Sequence, residues 1–180
     1  MHTQVKIQTI KRWAGIFGTL LSLTVGIYPT LSGAAEDISG RIVQHTVKVD
    51  MVKMSDVPGH VTGTSQNVGL VFFTNGEIAT TRSTSTFDLV NGKGTITVNR
   101  VHNYQDGSTR LIKATGNAAP LDGGKKVAYE GTYEWTGGTG RFNGMMGKGT
   151  YKGERLGSPD TGSDTYIDFS GTEWKNLSQK

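Results

Sequence analysis

The sequence contains no cysteine, only four prolines and little helix-forming pattern after residue 35. Without cysteine the chain has no disulfide framework, no zinc–thiolate site and no cysteine nucleophile. No G-x-S-x-G elbow of a serine hydrolase occurs, and no closely spaced histidine pair suggests a metal site. We therefore expect no metal and no cofactor, and the absence of a catalytic motif favours binding over catalysis.

The net positive charge of the chain is also small when the N-terminal 35 residues are left out. The whole chain has a net charge of +4, but Lys6, Lys11 and Arg12 contribute three of its basic residues. The remaining 16 Lys and Arg against 15 Asp and Glu leave +1 for residues 36–180. Because no basic stripe remains, we expect no nucleic-acid partner.

The first 35 residues have the three parts of a secretory signal peptide. A basic start is followed by an apolar stretch from Trp13 to Leu31, and "SGAAED" then places small residues before the first acids. Cleavage after Ala34 or Ala35 would leave one domain, residues 36–180. An uncleaved membrane anchor is the alternative, but glycines and Pro29 interrupt the apolar stretch. We expect export to a bacterial periplasm or the extracellular space, with no membrane attachment after cleavage.

Short strands separated by turns dominate the rest of the chain. Asn75-Gly76, Asn91-Gly92 and Asp106-Gly107 are hairpin signals between runs of β-forming residues. About eight such strands follow one another, and no window shows the spacing of an amphipathic helix. The pattern predicts an all-β fold in which a single eight-stranded antiparallel barrel closes around side chains or one small ligand.

The glycine-rich segment Thr136–Leu156 raises the question of a phosphate-binding loop. Around "GMMGKGT", Phe142 stands where a P-loop needs its first glycine and Gly149 where it needs Ser or Thr, and no helix-forming run follows. Glycine also provides tight turns and places where a ring can lie on the backbone. We therefore predict a hairpin, followed by a strand whose glycine face packs against Tyr129, Tyr133 or Trp135.

The same segment resembles a known family of barrels. "YEGTYEWTGGTGRFNGMMGKGTYKGERL" is similar to the signature of the allene oxide cyclase-like and dirigent-like barrels, in which a strand is followed by G-G-T/S-G-x-F and a glycine-bearing strand. The matching residues are Gly137, Gly138, Thr139, Gly140, Arg141, Phe142 and Gly144. The resemblance implies an eight-stranded antiparallel barrel with a partly apolar cavity, often a homotrimer. It carries over no catalytic residue, because the matching motif is structural.

Strand alternation selects the candidate ligand-binding residues. On one strand it places Tyr129, Tyr133 and Trp135 opposite Glu130 and Glu134, so the aromatic face should turn inward. On two other strands it places His45 among Val43, Val47 and Val49, and Arg100 and His102 beside Ile96 and Val98. The predicted lumen site therefore consists of Tyr129, Tyr133, Trp135, His45, Arg100 and His102.

The sequence is compatible with three functions. The barrel binds a small apolar or aromatic ligand in its lumen, or it is a cofactor-free isomerase or cyclase of the allene oxide cyclase type, or it is a structural barrel with a filled lumen. A cavity lined by aromatic residues with one or two polar groups would favour the first two. A packed lumen would favour the third.

Overall fold

A computed structural model describes residues 34–157 and 163–176. Apart from two three-residue 3-10 turns, Asp122–Gly124 and Gly140–Phe142, these residues form strands and their connections. The eight strands are β1 (Glu36–Lys53), β2 (His60–Phe73), β3 (Ile78–Val90), β4 (Lys93–Asn103), β5 (Thr109–Leu121), β6 (Lys126–Thr139), β7 (Met145–Leu156) and β8 (Asp164–Lys175). The all-β prediction is confirmed. The predicted signal peptide lies outside the described residues, except for Ala34 and Ala35.

The strands form one closed antiparallel barrel. Each strand pairs with the next along the chain, and β8 pairs with β1 from Glu36↔Glu173 to His45↔Asp164. The predicted glycine turns provide the hairpins: Asn91 and Gly92 connect β3 to β4 with positive φ of 52° and 77°. Asparagine and glycine tolerate this left-handed conformation, which suits a two-residue hairpin. In the described ranges, no helix has the length and hydropathy to span a membrane.

The inward and outward faces of β4 and β6 follow the alternation in the sequence. Tyr133 and Trp135 are buried, whereas Glu130 and Glu134 on the opposite face of β6 are exposed. On β4, Arg100 and His102 are buried on the same face as Ile96 and Val98. The predicted faces of these two strands are confirmed. On β6 the physical reason is that burying Glu130 and Glu134 without partners would be costly, so the opposite face turns inward.

The prediction for β1 is wrong over its first half. Ile42 is buried and Gln44 and Thr46 line the interior, whereas Val43 and Val47 are 44% and 54% exposed. A bulge at Val47 explains the difference, because Thr46 pairs with Asn67 and Lys48 with Gln66, which leaves Val47 without a partner on β2. The extra residue changes the parity of the inward face, so that Val49 and Met51 point inward beyond it.

The glycine face of β7 packs as predicted beneath two rings of β6. Trp135 pairs with Gly147 and Tyr133 with Gly149. A Cβ built on Gly147 would lie 3.1 Å from the Trp135 indole, and one on Gly149 would lie 2.7 Å from the Tyr133 ring. Gly153 pairs with Tyr129, but the atoms nearest to a Cβ built on it are backbone atoms of Tyr166 and Ile167 instead of a ring. The glycine-rich segment is thus a hairpin and a ring-packing surface of the barrel.

Candidate functional site

The barrel interior is divided into an open half and a filled half. The open half lies at the end that carries the β1–β2, β3–β4 and β5–β6 connections, and it contains a cavity of about 170 Å³. Beneath it lies a second, smaller pocket of about 50 Å³. Val98, Arg100, Tyr151 and Ile167 line both spaces and so form the boundary between them. The larger cavity is the candidate site.

The filled half is closed by an arginine held between rings. The guanidinium carbon of Arg110 lies 3.3 Å from the centre of the Trp135 ring and 4.1 Å from that of Phe142. Its Nη2 is 2.8 Å from Oε2 of Glu173, which is itself 15% exposed. Phe73 and Tyr104 stack beside this group. We call Arg110, Glu173, Trp135 and Phe142 the plug, because together they fill this end of the lumen.

The wall of the larger cavity combines polar and apolar side chains. Strands β1, β2, β3 and β8 contribute the hydroxyl and amide groups of Gln44, Thr46, Ser65, Asn67, Ser85 and Thr165. Thr46 donates a hydrogen bond to Asn67, and Asn67 donates one to Ser83, which fixes part of this polar group. The apolar lining comes from several strands around the barrel and consists of Val49, Met51, Phe87, Leu89, Ile96, Val98, Ala118, Val127 and Ile167. This combination suits a ligand with one apolar and one polar part.

Arg100 is the deepest charged group of the candidate site. The residue is 9% exposed, and its Nη2 donates a 2.8 Å hydrogen bond to Oε1 of Gln44. Its Nη1 is buried without a hydrogen-bond partner among the described residues. Burial lowers the pKa of Arg100 to about 10, against a smaller opposing effect of Tyr151, so the guanidinium stays positively charged at neutral pH.

The predicted site residues fall into three places. Tyr129 and Arg100 line the larger cavity, whereas Tyr133, Trp135 and His102 line the smaller pocket, where Arg100 also reaches. His45 points outward, and its Nδ1 lies 3.0 Å from Oδ1 of Asp164 on the barrel exterior. The predicted inward orientation of His45 is therefore wrong, because the bulge at Val47 follows it and the even-numbered residues before the bulge face the lumen.

His102 lies between the two buried arginines. It is 3% exposed, and its Nδ1 makes no hydrogen bond to any described residue. Burial, together with the charges of Arg100 and Arg110, lowers the pKa of His102 well below its usual value. The imidazole is therefore neutral at physiological pH and able either to accept or to donate a hydrogen bond in the smaller pocket.

Sequence reasoning missed Gln44, Tyr151 and Arg155 as site residues. Arg155 lies in a row of inward residues, paired with Val127 on β6 and Thr165 on β8. Arg155, the last residue of the "KGER" segment, lines the cavity with a buried Nε instead of lying in solvent. Continuing the alternation from Gly149 through Tyr151 would have identified it, whereas Gln44 was hidden by the bulge.

A separate charged cluster lies on the rim of the open end. The Nδ1 of His60 is 2.7 Å from Oδ1 of Asp56, and its Nε2 is 2.7 Å from Oδ1 of Asp88. Hydrogen bonds to Asp56 and Asp88 raise the pKa of His60, and the bond to His60 lowers the pKa of Asp56. Across residues 34–157 and 163–176, no three His, Asp or Glu side chains are arranged to hold a metal ion. The cluster ties the β1–β2 connection to β3.

The chain was compared with protein families, curated sequences and solved structures. No protein-family model matches the chain, and no curated protein sequence matches it. The chain is similar to the solved structure of a pterocarpan synthase dirigent protein, with a TM-score of 0.44 and 12% identity over 87% of this chain and 98% of that chain. That protein belongs to the dirigent class that the segment Tyr129–Leu156 resembles. The strand pairing described above defines the barrel, and function does not transfer at this level of similarity.

Proposed function

We propose that this barrel binds a small apolar or aromatic molecule in the cavity at its open end. The observation that carries the proposal is a space of about 170 Å³ lined by apolar side chains and a few polar groups, next to a plug that fills the other end. An apolar cavity of about 150 Å³ is large enough for benzene. One ring with a small substituent therefore fits, and a longer molecule would extend through the open end.

Two other functions use the same interior differently. A structural barrel would have a filled lumen, and the plug has that character, but the open half does not. A cofactor-free isomerase or cyclase would need polar groups beside the reacting atoms, and Arg100 and Tyr151 are the groups at the cavity floor. Binding is the common requirement of the proposed function and of the isomerase, so it is tested first.

The test uses neutral probes and a substitution that fills the cavity. Toluene and indole are expected to raise the melting temperature of the wild-type chain in a thermal-shift titration. Ala118 is 1% exposed and lines the cavity, so Ala118→Leu should occupy part of it and abolish the ligand-dependent shift. The matched control is Ala119→Leu, because Ala119 lies on the opposite face of β5 from Ala118, in an outer surface groove with Asn117 and Glu130. The control should keep the shift.

The absence of any shift in the wild type would contradict the binding proposal and support a structural barrel. An equal shift in the Ala118→Leu and wild-type chains would place the probes outside this cavity.

Native mass spectrometry of the protein purified from its own cells adds two results, since the mass reports both a retained ligand and the homotrimer that the family resemblance implies.

We further propose that the chain is exported and cleaved near Ala35. Strand β1 begins at Glu36, so cleavage after either Ala34 or Ala35 would leave every strand of the barrel intact. N-terminal sequencing of the protein recovered from the periplasm or the medium should start at Ala35 or Glu36. A chain that begins at Met1 in that fraction would contradict cleavage.

A further inference from the structure

The cavity contains two positive charges and no acidic group. Arg100 lies at its floor and Arg155 in its wall, and the described residues that line it include no Asp or Glu. The hydroxyl of Tyr129 lies beside Arg155, while burial raises the pKa values of both Tyr129 and Tyr151. Both phenols are therefore neutral at physiological pH, and neither supplies a negative charge.

The two deeply buried arginines of the barrel differ in whether an acidic side chain lies beside them. Arg110 in the plug has Glu173 within 2.8 Å and lies close to the rings of Trp135 and Phe142. Arg100 forms no ion pair with any described residue, and the amide oxygen of Gln44 is the acceptor that its Nη2 uses. Burial of an ionised group without an opposite charge costs free energy, so such a group is uncommon unless it serves a site. The counter-charge missing at Arg100 can be supplied by a ligand.

We propose that the cavity takes a small organic anion whose carboxylate binds Arg100 and whose apolar part packs on Val98, Val127 and Ile167. This inference rests on the proposed binding function and specifies its ligand class. The guanidinium of Arg100 has five N–H donors in one plane and donates one hydrogen bond to Gln44. It can therefore also donate to a carboxylate oxygen, and charge-assisted bonds of this kind are strong in a buried site. The cavity volume selects acids with a single ring or a short chain.

The experiment compares a carboxylate with its neutral amide. Phenylacetate and phenylacetamide have the same shape, so calorimetric titration of the wild-type chain isolates the contribution of the charge. We expect phenylacetate to bind at least about tenfold more tightly, as a charged hydrogen bond in a buried site would provide. Acetate, which lacks the ring, should bind much more weakly than phenylacetate. Equal affinities for phenylacetate and its amide would overturn the inference.

Arg100→Met should remove the preference for the acid while binding of the amide persists. Arg82→Met is the matched control, because Arg82 is exposed on β3 and its replacement changes the net charge equally. The Arg100→Met chain should also be at least as stable as the wild type, since it no longer buries an unpaired charge. Destabilisation by Arg100→Met with no acid preference in the wild type would show that Arg100 only ties β4 to Gln44.

The outcomes separate the anion site from the proposed function. Binding of toluene, indole and phenylacetamide without any preference for phenylacetate leaves the lumen site standing and removes its anion specificity. A preference that persists in the Arg100→Met chain assigns the anion to another cation and contradicts the proposal. The acid–amide comparison in the wild type requires no variant, so equal affinities overturn the inference even where Arg100→Met does not fold.

Discussion

Replacing Trp135 with alanine is expected to lower the free energy of unfolding by about 3–5 kcal/mol, the range for loss of a large aromatic side chain from a core. The indole is 2% exposed, lies on the backbone of Gly147 and stacks on the guanidinium of Arg110. Alanine would leave a void on one side and an arginine without its ring partner on the other. Because domains of this size unfold with about 5–15 kcal/mol, the loss is a large fraction of the total. Urea unfolding followed by circular dichroism measures it.

The controls for this substitution come from the same strand. Glu134→Ala lies on the exposed face of β6 and should change stability little. Trp135→Phe keeps a ring over Arg110 and should fall between the wild type and Trp135→Ala. Since Trp135 does not line the larger cavity, a folded Trp135→Ala chain should still bind toluene. A loss below about 1 kcal/mol would show that the plug is not tightly packed.

Deleting one residue should have opposite outcomes at two positions of the sheet. Deletion of Val47 removes the unpaired residue of the β1 bulge, so Thr46 and Lys48 become consecutive and keep their partners Asn67 and Gln66. The inward residues on both sides of the deletion then stay inward. We expect this chain to fold cooperatively, with the same near-ultraviolet circular dichroism as the wild type.

Deletion of Thr132 is expected to abolish cooperative folding. Thr132 is also an exposed β-branched residue, but it pairs with Thr115 on one side and Thr150 on the other, so β6 has no spare residue there. Its removal turns either Tyr133 outward and Glu134 inward, or Tyr129 outward and Glu130 inward. Exposing an aromatic residue and burying a carboxylate both destabilise the barrel. If deletion of Val47 were equally damaging, the bulge would be required for barrel closure.

The contrast between β6 and β1 explains how much of the fold the sequence predicted. On β6 the two glutamates lie on one parity, the aromatic residues on the other, and the pairing is regular over that stretch, so the face followed from alternation. On β1 the outward charges change parity, from Arg41 before Val47 to Lys48 and Asp50 after it. That change is the sequence signal of the bulge, but valines on both faces concealed it.

The sequence predicted which individual residues face the interior, but it did not predict where the cavity lies. Alternation placed Arg100 and Tyr129 in the interior, and both line the cavity. Whether an interior position borders empty space or packed rings depends on the summed volumes contributed by all eight strands, which no single strand reveals. Tyr133 and Trp135 therefore lie in the filled half and Tyr129 lies in the open half, although all three have the same position in the alternation of β6.

In the closed barrel every strand pairs with two neighbours, so the pairing pattern itself does not mark β1 as the first strand. Seven of the eight pairings are hairpins between consecutive strands, and the eighth joins β1 to β8, where Glu36 lies opposite Glu173. A short peptide between Lys175 and Glu36 would convert that eighth pairing into another hairpin. The chain opened at Asn91–Gly92 would then retain every ladder of the barrel, because the new ends lie in an exposed turn. In the natural chain the pairing of β1 with β8 closes the longest loop and has the largest loop-closure entropy cost. In such a circular permutant the pairing of β3 with β4 would have that cost instead.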